Sequence, residues 1–157
     1  MQLKDVLKEI SVSKFNEHPL QADARTLCLT GIEQTSSAVD QLVNVCYGLG
    51  LTAGWWHHVK DGTLNPNPNR NVPEMLCLIH SEISEGLEGY RRNLQDDKLP
   101  HRPMLEVELA DALIRICDMA GGLGLDLAGA VQEKLQFNTN RADHKIENRM
   151  ADDGKKI

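Results

Sequence analysis

Aromatic side chains are scarce, with two Trp, two Tyr and two Phe making 4% of a 157-residue chain, so the core has to be aliphatic. Long apolar runs are missing too, and nothing approaches the ~20 residues of a membrane span. The opening MQLKDVLKEI mixes charges into its apolar residues and does not read as a secretory signal. These absences predict a cytoplasmic protein with no membrane partner. A basic excess is also lacking, since 17 Lys and Arg stand against 23 Asp and Glu, for a formal net charge of −6. A nucleic-acid polymer needs a basic footprint, so none is expected as a partner. An anionic small molecule can still bind if a divalent cation bridges the like charges. Cys28, Cys46, Cys77 and Cys117 lie far apart in apolar stretches, without a CxxC. That spacing argues against zinc and for buried, reduced thiols.

Period-2 alternation is absent, and helical spacing dominates. Leu3, Val6, Leu7 and Ile10 predict a short opening helix, and a thin apolar set predicts another over residues 20–33. Ser36 or Ser37 is positioned to cap a helix that falters at Gly48 and Gly50. Residues 51–72, with their NPNPNRN run, read as a loop. Pro73 suits the first turn of a helix to about Asn93, and Pro103 opens another to about Gly121. Asp126 is placed to cap a last helix to about Arg149. The expectation is an all-α fold, an antiparallel bundle of about four core helices over residues 36–150. An N-terminal extension (1–35) would be partly helical, and residues 151–157 would form a flexible tail.

Glu82 and Glu85 continue a helical line begun by Met75 and Leu78, beside Leu76, Ile79, Ile83, Leu87 and Tyr90 as the other core-facing residues. In the next helix Glu108, Asp111, Arg115 and Asp118, spaced 3, 4 and 3, run between two apolar lines. Carboxylates on such surfaces are costly unless paired or bound to a cation. If the pairs Glu82/Glu85 and Glu108/Asp111 face each other across an antiparallel turn, four oxygen ligands converge. That set suits Mg²⁺, with Mn²⁺ as a substitute, and metal-assisted chemistry on phosphates. The alternative is a solvated face, or ion pairs with Arg91, Arg92 or Arg115. The last helix adds a stripe of Lys134, Asn138, Arg141 and Lys145, a pattern suited to polyphosphate, although Lys145 reads better as favourable charge near a helix C-terminus.

This ordered set resembles the MazG-like all-α NTP pyrophosphatases. The resemblance covers roughly residues 36–150 and rests on ExxE at 82–85, a 22-residue spacer (86–107), ExxD at 108–111, and the Lys134, Asn138, Arg141 tail. The Trp-containing segment and the entry Asn71-Val72-Pro73 are similar too. The resemblance implies a homodimer or homotetramer that hydrolyses a nucleoside triphosphate to the monophosphate and pyrophosphate. Glu82, Glu85, Glu108 and Asp111 would hold Mg²⁺, with Glu85 the choice for activating water. Lys134, Asn138 and Arg141 would hold the phosphates. Gly86 and Gly89 in the first acidic helix would be explained by close helix packing or by near approach of a nucleotide.

Trp55 and Trp56 are candidates for stacking on a base, with Asn71, His57 or His58 hydrogen-bonding to it. Equally, one Trp fills the bundle end and the other covers an interface. Two further readings stand beside the enzyme: a non-catalytic helical nucleotide- or protein-binding module, and an oligomerisation bundle with residues 1–35 as its arm.

Overall fold

The computed structural model describes residues 21–60, 63–67 and 70–141, with the backbone alone at 21–30, 59–60 and 64–66. The elements are α1 (Gln21–Thr52), β1 (His57–Lys60), β2 (Thr63–Pro66), α2 (Val72–Arg92), α3 (Met104–Leu123) and α4 (Leu127–Asn140). The protein is therefore mainly helical, as the spacing predicted. The described residues fall into two compact units: Val39–Leu127, and a second formed by the flanking stretches that end at Ala38 and begin at Ala128. No described helix is long and apolar enough to cross a membrane.

The helix ends follow local chemistry. Asn71 caps α2 by accepting from the Glu74 amide at 3.3 Å, with Pro73 in the first turn. Asn93 adopts a left-handed conformation (φ 52°), and the Leu94 amide returns to the Gly89 carbonyl at 3.0 Å. Gly124 (φ 65°) ends α3 in the same way, through the Leu125 amide on the Ala120 carbonyl. Both are Schellman closures that satisfy otherwise orphaned carbonyls. Between α2 and α3, buried Asp96 takes the amides of Lys98 and Leu99, while its own amide bonds the Arg102 carbonyl at 3.0 Å. This short, internally bonded connector returns the chain, and α2 and α3 pack together.

Three local expectations are corrected. The chain does not restart a helix at Ser36 or Ser37, because α1 runs unbroken through them and through Gly48 and Gly50. The Thr35 hydroxyl donates back to the Gly31 carbonyl at 3.0 Å, so it is spent within the helix and does not cap a new one. Residues 51–72 are not all loop, because β1 and β2 form an antiparallel hairpin pairing His57 with Pro66 and Lys60 with Thr63. Strands of four residues are too short for alternation to register.

The third correction concerns which side of α2 is covered. Its buried residues are Met75, Glu82, Gly86 and Gly89, whereas Leu76, Ile83, Leu87 and Tyr90 are exposed. The glycines explain the inversion. A Cβ on Gly89 would lie 2.8 Å from Met104 Cβ, and one on Gly86 would lie 3.3 Å from Glu108 Cβ. Close helix packing thus accounts for both glycines, and it carries Glu82 to the α2–α3 seam. Cys77, expected to be buried, is exposed on this helix, while Cys46 and Cys117 are buried. Burial raises both buried thiols, which keeps them protonated. The expected opening helix (3–10), residues 142–149 of the expected last helix and the tail lie outside the described residues.

Candidate functional site

The packed face of α2 presents Glu82, and the facing line of α3 presents Glu108 and Asp111. One ligand oxygen from each lies within 4.8 Å of the others. Glu82 and Glu108 retain only 7% exposure, and Asp111 is half-buried. Burial pushes the Glu108 carboxyl from its ordinary 4.5 up to about 7. A hydrogen bond with Glu82 and the charges of Glu85, Glu82 and Asp111 add to the rise. The group could hold a metal ion: three hard oxygen donors from two rigid helices, short of positive charge. Glu85 lies on the exposed side of α2, outside this trio, though its charge is felt at Glu108.

One cation already serves the trio. Arg115, a turn beyond Asp111, places Nε 2.6 Å from Glu82 Oε1. Arg91 and Arg92, the other candidates, instead make exposed pairs with Glu88.

Asp111 and Arg115 also line a pocket of about 430 Å³ with Leu49, Trp55, Arg70 and Asp118. The two tryptophans part company here. Trp56 is 5% exposed and is anchored on several sides. Its Nε1 donates to Asp118 Oδ1 at 2.7 Å, and Tyr47 meets it edge-on with centroids 5.6 Å apart. The Arg70 guanidinium sits 5.1 Å from its ring centroid. Gly122 leaves room for the six-membered ring, which any side chain there would overlap. Trp55 is 68% exposed at the pocket wall, its carbonyl held by Arg70 Nη1 at 2.8 Å. Gly54 (φ 82°) makes this division possible by ending α1 in a third Schellman closure, with the Trp55 amide on the Gly50 carbonyl at 3.0 Å.

Asn71 is engaged as the α2 cap, and His57 carries a buried Nδ1 without a hydrogen-bond partner among the described residues. Lys134, Asn138 and Arg141 belong to the other compact unit. There Lys134 Nζ lies 4.8 Å from the Phe137 ring centroid, and the Asn138 Oδ1 is buried without a partner among the described residues. Arg141 follows α4, its amide on the Asn138 carbonyl at 3.3 Å. Sequence reasoning gave no functional role to Arg70, Arg115 or Asp118. The signal for the last two was the 108–111–115–118 spacing, while Arg70 sits in an Asn/Pro run that carries no period.

The fold and site thus define a mainly helical protein in which two buried carboxylates and a half-buried one meet beside an aromatic-walled pocket. Comparison of the chain with family models, with curated proteins and with solved structures gave no match.

Proposed function

We propose that this chain is a Mg²⁺-dependent nucleoside triphosphate pyrophosphohydrolase of the MazG-like kind, releasing monophosphate and pyrophosphate in nucleotide-pool cleansing or control. The observation that carries the reading is the convergence of Glu82, Glu108 and Asp111 at the edge of a pocket walled by exposed Trp55. Cation, phosphate and base then have adjoining places. Bound there, Mg²⁺ (or Mn²⁺) would neutralise phosphate charge and polarise the phosphoryl group. Glu82, Glu108 and Asp111 would hold the cation, and Asp111 would connect that centre to the pocket it lines. The role of Glu85 in accepting a proton from the attacking water, like that of the phosphate-binding residues, is carried by the sequence resemblance. The water oxygen bonds to the α-phosphorus as the bond to the bridging oxygen breaks, and pyrophosphate departs with that electron pair. Trp55 offers a face for the base, whereas Trp56 keeps the hairpin and its neighbour in place. The phosphate-binding role of Lys134, Asn138 and Arg141 is carried by the sequence resemblance.

Leu76, Ile83, Leu87 and Tyr90 form an exposed apolar line at helical spacing, which supports assembly as a homodimer or homotetramer. The test of function is pyrophosphate release from each common NTP and dNTP, with Mg²⁺ and with EDTA. Metal-dependent release with a monophosphate product is expected. No release from any of them, by folded protein, would refute the reading; retained metal binding in that case would favour the non-catalytic module.

A further inference from the structure

Asp111 belongs to both the carboxylate trio and the pocket, and Arg115, which lines the pocket, bonds to the trio through Glu82 and is the cation between them. Building on the reading of the trio as a divalent-cation centre, we propose that Arg115 is its internal counterion. A divalent cation must displace it, and the freed guanidinium then serves the pocket as the group that binds an anionic ligand. The Nε–H donates to Glu82 Oε1 at 2.6 Å, so that oxygen cannot be given fully to a metal while the bond stands. A guanidinium so close to the centre also repels an incoming divalent cation. The side chain is 44% exposed, in contrast to 9% for Glu82, so it can swing without repacking the seam. The pocket offers two anionic groups, Asp111 and Asp118, and two cationic ones, Arg70 and Arg115. Arg70 is already committed to the Trp55 carbonyl and the Trp56 ring. Arg115 is therefore the cation that changes partner. An anion that engages it frees Glu82, and a metal that takes Glu82 frees Arg115, so each ligand raises the affinity for the other.

The test measures Mn²⁺ binding alone, then inorganic pyrophosphate binding in excess Mn²⁺, by calorimetry on the full chain as wild type, Arg115→Gln and Arg115→Lys. Thermal melts establish that each is folded. Arg115→Gln should bind Mn²⁺ about tenfold tighter and pyrophosphate about tenfold weaker, because a positive charge leaves both sites. Arg115→Lys keeps the charge but not the guanidinium, and should fall between wild type and Arg115→Gln for both ligands. A purely structural arginine would weaken both ligands together, and that result, or no gain in Mn²⁺ affinity, overturns the proposal. Wild type that binds no Mn²⁺ overturns the metal reading itself. The wild-type protein alone supplies a further check: its Arg115 Nε–H resonance, identified by its loss in Arg115→Lys, should shift on saturation with Mg²⁺. A resonance that stays put refutes displacement.

Discussion

Replacing Glu108 by Gln should stabilise the metal-free protein at pH 8 and leave it nearly unchanged at pH 4.5. Glu108 titrates near 7 in the fold and near 4.5 when unconstrained, with burial as the main cause. A raised carboxyl pKa means that the folded state binds the proton more tightly. Its stabilising contribution is therefore complete below 4.5 and is lost as pH climbs through 7. Every tenfold gain in proton affinity is worth ~1.4 kcal/mol, which gives an upper bound of about 3 kcal/mol for the loss. Glutamine is neutral throughout, and its amide can donate to Glu82 as the protonated acid does. The difference between variant and wild type should grow from near zero at pH 4.5 to as much as about 3 kcal/mol at pH 8. Urea titrations with EDTA at several pH values would measure it. Added Mg²⁺ should reverse the order at pH 8, because it stabilises the ionised wild-type trio more than the variant. A variant that is equally destabilised at every pH would refute the idea that burial of the ionised Glu108 carboxylate governs this seam.

Other consequences are more local. Gly89→Ala should cost about 1–3 kcal/mol, read as a lower urea midpoint, because its methyl would press on Met104. Asp118→Ala should leave the Trp56 indole N–H buried and unpaired, costing about 1–3 kcal/mol and shifting the tryptophan emission. Trp55→Ala, by contrast, should change stability by less than about 0.5 kcal/mol, since the side chain is exposed. Its effect should appear in calorimetry with a non-hydrolysable nucleotide, as roughly tenfold weaker binding from the lost stacking face.

The sequence by itself determined the helical class, the bounds of α2 and α3, and the spacing that sets Glu108 and Asp111 on one line. Period and capping chemistry are local properties, so Pro73 and Pro103 mark helix starts without knowledge of any neighbour. The sequence also narrowed the candidate metal ligands to a few carboxylates on two helices. Tertiary structure decided which of them meet. Glu82 reaches the seam and Glu85 does not, because Gly86 and Gly89 draw that face of α2 onto α3 and leave the bulkier Leu76, Ile83 and Leu87 outside. Hydrophobicity alone predicts the reverse, since the closeness of two helices depends on what each presents to the other. The assignment of Trp56 to the core and Trp55 to the pocket has the same origin. Adjacent in sequence and identical in chemistry, they are told apart by Asp118 and Gly122, more than sixty residues further along the chain. Arg115 likewise became the counterion of Glu82 only when α2 and α3 met, an outcome that depends on the distance between two helices and not on the residues of either one.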